Sequence, residues 1–512
     1  MKRKFISLIC VLCAGVFVFS GCAKSSDGSS VPNQEKSAAV TTAAEPAVTL
    51  PVTSKQPVNE IPASYGEFGI DKTIKQDFNK KVSENCKIPI ISVTTRDSDE
   101  IVSLEEYIPC VVDVFNCEDK LTIDEASAGI RVRGNSSAYY GDVNQILNNT
   151  VPYRIRFDTK TNMLGLNGGA EFRSWVLLKS DWDLIRNDIA FRMGRAIMDG
   201  KYFCSDSQLV HLYVNEEFQG IYLLCEQCQI NKNRVDVTEP EEGYTGTDIG
   251  YYLEMDNYAA SDTDNYYITM DYCGAAVTDI NGETRQFVPA EYSVKNDLYS
   301  QDQIDFIDKY ADNLFRIVYE ACENGNYLTF DENFDLTESQ YESAEETVRA
   351  VMDIGSAVDM YILYEIVHDY DCGEGSFYFC VDFSEKSRCP KLTFTSPWDF
   401  NWAYSDSPDG KYYAGGFCDQ SFADKYGDRS NPWFILLIKQ DWFLNSVREK
   451  WTEMKNSDVL KNCISEETQI LEKYKSDLNK TDEWATDCSY ELINWILSRI
   501  DWLDEQWLDR RT

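Results

Sequence analysis

The chain has 512 residues, with 86 Asp and Glu against 48 Lys and Arg and a formal net charge of −38. This balance excludes a nucleic-acid surface as the default, because phosphate backbones demand clustered cations, and it suits solubility or a basic partner. Only two histidines, His211 and His368, occur, and beyond the apolar amino-terminal run one lone CxxC pair, Cys225 and Cys228, so Ser/His/Asp catalysis and a structural zinc site are poorly supported.

The amino terminus sets the compartment. Lys2-Arg3-Lys4 is a basic segment, Phe5 to Phe19 is an apolar run too short to span a bilayer comfortably, and Ser20-Gly21-Cys22 closes it. This reads as a lipoprotein signal, residues 1–22. Cleavage before Cys22 would leave a lipidated cysteine and hold the protein on the extracytoplasmic face of the cell membrane, anchored but not spanning. The alternative is an ordinary signal peptide with an incidental cysteine. From residue 23 the chain is rich in Ser, Thr, Ala and Pro without hydrophobic period, which reads as a flexible linker over residues 23–80.

The remainder changes character midway. Short β-rich runs include Ala128 to Arg133, Tyr153 to Phe157, Trp175 to Leu178, Leu209 to Val214, Gly220 to Leu224 and Tyr251 to Met255. One helix interrupts them, roughly Leu184 to Met198, with Ile185, Ile189, Met193 and Ile197 at four-residue steps. After Asp302 the helical period dominates: about Gln303 to Asn324, about Gln340 to His368, and several helices from Trp433 onward. An α+β fold is expected, with a β-rich N-terminal lobe over 81–300, a mostly helical C-terminal lobe over 301–512, and a site in the cleft. His211, inside the apolar strand, is expected to be a packed residue.

Three features carry chemistry. His368-Asp369-Tyr370-Asp371 and Ser396-Pro397-Trp398-Asp399-Phe400-Asn401 are two acidic loops beside strand-forming aromatics. That is what a metal-dependent phosphoryl transferase needs: one carboxylate for the acceptor hydroxyl, another for the metal. Arg133-Gly134-Asn135-Ser136-Ser137 follows a strand, and its glycine lets backbone amides approach an anion. A plain β-turn is the simpler reading of that pentapeptide. Asp183, Arg186 and Asn187 look like a helix cap with an ion pair.

Taken in order, Ile130 to Ser137, Pro152 to Phe157, Ser174 to Leu178 with Asp183 to Asn187, Tyr213 to Asn215 with Phe218 to Tyr222 and Glu226, the Asp371 loop, and Pro397 to Asn401 resemble the spore-coat CotH-type kinases. These are secreted bacterial proteins with a divergent, bilobal, atypical protein-kinase-like fold. The resemblance implies ATP and Mg²⁺ or Mn²⁺ as cofactors, and a Ser/Thr protein substrate that the acidic charge would suit if basic and Ser-rich. Its residue assignments are Asp371 as the catalytic carboxylate, Asp399 and Asn401 at the metal, and Arg133, Gly134, Asn135, Ser136 and Arg156 along the phosphates. Glu226 falls at the interlobe hinge near the adenine. Asp369 competes for the role of Asp371, and Glu226 also reads as a solvated strand end. The chain departs from the family at Thr150-Val151, where lysines are frequent, at Ser376, where Asn is common, and at Asn401, where Asp is common. A nucleotide-binding or adhesive surface module with weakened catalysis is therefore the alternative.

Overall fold

The computed structural model describes residues 61–509, apart from 180–181, 257, 262–265, 370, 405–406 and 418–430. The expected signal, Cys22 and residues 23–60 of the linker lie outside the described residues. By its internal contacts the chain divides into Met1–Thr49 and Leu50–Thr512, and every described residue belongs to the second unit.

Part of the expected linker is ordered structure. Tyr65 inserts its hydroxyl against Asp113 Oδ2 at 2.5 Å and is 2 % exposed, and Asp71 caps a helix, Lys72–Ser83, by accepting the Thr73 N–H at 2.9 Å. A low-hydrophobicity stretch here gains order from a few buried anchors rather than from an apolar period.

Seven strands close into a barrel: β1 (Ile90–Thr95), β2 (Ile108–Phe115), β3 (Ile123–Val132), β4 (Tyr153–Thr161), β5 (Phe172–Leu178), β6 (Ser207–Val214) and β7 (Glu217–Glu226), in the order β1-β2-β3-β4-β5-β7-β6. The closing pair, β1 with β6, is parallel; every other neighbour is antiparallel. Closure leaves no free sheet edge. Strand alternation fixes two faces: Ile130, Val132, Tyr153, Ile155, Phe157, Trp175 and Leu224 fill the interior, while Val176, Leu209, Leu223 and Cys225 point outward into a second core. There they meet the helix Arg186–Met198, whose Ile185, Ile189, Met193 and Ile197 positions are all buried, as the four-residue spacing predicts. His211 is 7 % exposed in β6, edge-on to Phe218 at 5.0 Å, and burial lowers its pKa to about 4.

The β-rich run divides between two sheets. Gly250–Asp256, expected beside the other early strands, is central in a five-stranded antiparallel sheet ordered Thr393–Thr395, Gly375–Asp382, Gly250–Asp256, Ala290–Val294, Tyr266–Met270. This sheet joins strands from both sides of residue 300. The expected long helix to His368 is two helices, Ala344–Val351 and Ile354–Val367, broken where Asp353 caps the second by accepting the Ser356 N–H. Ile354–Val367 is buried nearly all round. The helix Val459–Asp504 is tied to it by Arg499 and Glu365, both fully buried and 3.0 Å apart. Among the described residues no helix is long and apolar enough to cross a membrane.

Candidate active site

Both acidic loops hang from the second sheet. Helix Ile354–Val367 ends at His368, whose φ of 54° breaks the helical course, and Asp369 follows at 1 % exposure. Asp369 Oδ1 accepts the Asp371 backbone N–H at 3.1 Å, a local turn that carries the chain through Asp371–Gly373 into strand Gly375–Asp382. Ser376, at φ 53°, forms the bulge where this strand begins to pair with Gly250–Asp256. A bulge at that point re-aims the strand end beside the acidic turn.

Asp399 closes the second loop at φ 59°, ψ 66°, a left-handed conformation that costs a non-glycine residue on the order of 1 kcal/mol or more and persists only when neighbours impose it. The neighbours here belong to the helix Arg186–Met198. Trp398 stacks on Phe191 with ring centroids 5.3 Å apart, and Phe400 meets the same ring edge-on at 5.9 Å. Asn187 Oδ1 accepts the Phe400 N–H at 3.0 Å, and its Nδ2 donates to Asn401 Oδ1 at 3.1 Å. Arg186 Nη1 donates to the Asn401 carbonyl at 2.5 Å. Asp183 accepts the Ile185 and Arg186 N–H groups at 3.0 and 2.7 Å and pairs with the Arg186 guanidinium, so the expected cap and ion pair form and also brace the Asp399 loop.

The carboxyl groups share one electrostatic field. Burial first, and then the Asp399 charge, push Asp369 up to about 8. Burial, Asp369 and Asp399 together hold Asp371 well above the usual carboxylate range. Burial also raises Asp399, against the opposing pull of Arg133. Arg133, directly after β3, lies over the Trp398 ring at 5.6 Å, so it faces the acidic loops from the barrel side. Gly134 follows at φ 99°, where an added Cβ would come 2.3 Å from Ser137 Oγ; Asn135 and Ser136 are exposed at the rim.

Among the described residues no group of three His, Cys, Asp or Glu side chains is arranged to hold a metal ion. Mg²⁺ commonly takes only one or two carboxylates and completes its shell with substrate phosphates and water. Hard oxygen donors that repel one another, as Asp399 does Asp369 and Asp371, fit such a cation.

The sequence profile of the CotH kinase protein matches residues 130–503, a span that runs from β3 into the last long helix and includes both acidic loops. The chain belongs to the CotH kinase family. No curated protein matches it. CotH membership brings protein-kinase-like activity and, at the level of the family, use of ATP and a divalent metal.

The other CotH-motif residues distribute unevenly about this centre. Arg156 stands on the outer face of β4, opposite Gly129 and Ser174. Since Arg133 N–H bonds to the Pro152 carbonyl, Arg156 lies four residues, about 13 Å, along β4 from Arg133. Glu226 is not a solvated strand end. It is 1 % exposed, its Oε1 takes Arg234 Nε at 3.0 Å and Asn167 Nδ2 at 2.8 Å, and its Oε2 takes the Asp206 N–H at 3.1 Å. Its side chain is committed to the protein, and so is its backbone, whose N–H donates to the Asp206 carbonyl at 3.2 Å and whose carbonyl accepts the Ser205 hydroxyl at 3.4 Å. Sequence reasoning missed Arg131 and Arg154, which alternation sets on the same outer face as Arg133. The signal was present in the Arg-x-Arg spacing of both strands.

Proposed function

We propose that this protein is a membrane-anchored extracytoplasmic kinase that transfers the γ-phosphoryl group of ATP to Ser or Thr of a protein substrate. In this reading the fold is bilobal and kinase-like, with the barrel of β1 to β7 as one lobe and the second sheet with the later helices as the other. The observation that carries it is the convergence of Asp369, Asp371 and Asp399 opposite Arg133. Such a site works by positioning and by neutralising charge rather than by covalent chemistry.

Asp371 acts as the base that orients the acceptor hydroxyl and takes its proton. Asp369 fixes the Asp371 turn through its backbone N–H. Arg133 stabilises negative charge on the phosphoryl group from the barrel side. Asp399, with the second lone pair of Asn401 Oδ1, would hold Mg²⁺ or Mn²⁺, which when bound neutralises phosphate charge. The lipid anchor at Cys22 rests on the Lys2 to Cys22 pattern, and the net charge of −38 favours a basic substrate.

The test is labelled-phosphate incorporation by the whole chain with co-exported proteins and divalent cation, expected in wild type and lost in Asp399→Ala. Full incorporation by Asp399→Ala would sink the assignment. Loss of membrane retention in Cys22→Ser tests the anchor. A second reading, a nucleotide-binding module with weakened catalysis, is favoured by one observation: Asn401 Oδ1 already accepts from Asn187. A metal-dependent thermal shift with ATP but no labelled product would select it.

A further inference from the structure

We propose that Arg131, Arg154 and the Tyr107 hydroxyl form an oxyanion subsite beside the Arg133 and Asp399 centre, and that it holds a second phosphate group of the same ligand, so that the cleft selects polyphosphates over single phosphate groups. The inference rests on reading this cleft as the nucleotide site, and it names which part of the donor the barrel wall recognises.

Arg131 on β3 and Arg154 on β4 are direct cross-strand partners. Like charges in that relation repel, and their neighbour Arg133 adds a third. In a chain with a net charge of −38, carboxylates are plentiful, and Arg186, Arg192, Arg195 and Arg234 all find one. Among the described residues no salt bridge reaches Arg131, Arg133 or Arg154. Nε of Arg131 and Nε of Arg154 are inaccessible to solvent and make no hydrogen bond, a cost that folding ordinarily avoids. Burial, with Arg131 and Arg133 alongside, lowers Arg154 to about 10 against the opposing pull of Tyr107, and no carboxylate offsets it.

Tyr107 completes the subsite. Its ring lies under the Arg131 guanidinium at 5.3 Å. Burial alone would raise its hydroxyl, yet the Arg154 and Arg131 charges outweigh that and hold it below the ordinary tyrosine value. Its oxygen accepts from both guanidinium groups, which leaves the hydroxyl proton to donate to an anion. Two guanidinium forks supply the planar donor geometry that phosphate oxygens accept. Arg131 and Arg133 share a strand face two residues apart, about 6.6 Å, so one linear phosphate chain could lie along β3 with its end at Asp399.

Isothermal titration of the full chain, free of divalent cation, with orthophosphate, pyrophosphate and tripolyphosphate tests this. Wild type is expected to bind tripolyphosphate at least about tenfold tighter than orthophosphate, and Arg131→Gln and Arg154→Gln are expected to bring that ratio close to one. Arg131→Lys and Arg154→Lys, which keep charge but lose the fork, are expected between these limits. An unchanged ratio in the variants, or no preference in wild type, would overturn the subsite. Should the variants fail to fold, hydrogen exchange on wild type decides: tripolyphosphate slows exchange at residues 129–133 and 153–156 if the subsite exists, and leaves it unchanged if not. A protein that shows the preference yet transfers no phosphate would defeat the kinase reading and leave this inference standing.

Discussion

Asn187 and Asn401, 214 positions apart, are joined by an Nδ2–H···Oδ1 hydrogen bond of 3.1 Å, while Asn187 Oδ1 takes the Phe400 N–H at 3.0 Å. One amide thus fixes both the backbone and the side chain of the loop that presents Asp399. Because Asn187 is 5 % exposed, Asn187→Ala is expected to cost about 1–3 kcal/mol of stability. It should also depress phosphoryl transfer more steeply than an equally destabilising change elsewhere. Transfer assays on Asn187→Ala beside a core variant matched in melting temperature check this; equal activity in the two would contradict the bracing role.

The raised Asp369 pKa gives a pH dependence with a definite sign. The folded state keeps this buried carboxyl protonated up to about 8, whereas the unfolded chain ionises it near 4. Between those limits the folded state binds more protons, so its stability falls as pH rises, at most by about 1.4 kcal/mol per pH unit. Asp369→Asn is expected to flatten that part of the stability profile. Urea unfolding at intervals from pH 4 to pH 8 measures the difference between the two proteins, and parallel profiles would show that Asp369 titrates normally.

Gly134 is fixed by backbone as well as by space. At φ 99°, Gly134→Ala is expected to cost about 1 kcal/mol or more and to weaken ATP binding, because the turn after Arg133 must shift. Adding Ser137→Ala removes the clash at 2.3 Å but not the backbone strain, so the double variant should recover only part of the loss. Full recovery would mean that crowding alone demands the glycine.

The Glu226 and Arg234 pair separates structural from ligand roles. Both side chains are essentially inaccessible and lie 3.0 Å apart, and Arg234 also covers the Phe172 ring at 3.7 Å. Arg234→Met leaves an unpaired buried carboxylate and is expected to cost about 3–5 kcal/mol. Glu226→Gln in the same chain should restore some of it. Chemical denaturation of Arg234→Met, Glu226→Gln and the double variant tests this, and additive losses would show that the pair is not coupled.

The residue order by itself determined a great deal. Four-residue spacing of Ile185, Ile189, Met193 and Ile197 marked the helix on which the Asp399 loop leans, and the β-rich run Tyr153 to Phe157 marked a strand. The two acidic loops were visible because each interrupts a run of aromatics. These are local properties, set by which side of an element must leave water.

Tertiary structure decided what local pattern does not carry. The parallel pairing of β1 with β6 that closes the barrel, the transfer of Gly250–Asp256 to the second sheet, the commitment of Glu226 to Arg234, and the meeting of Asn187 with Asn401 each join residues far apart in the chain. Alternation says that a face is buried and not against what. The partner is chosen by register and by the packing of two cores at once, and only there did Arg133, directly after β3, come to face the Asp399 loop of the second sheet.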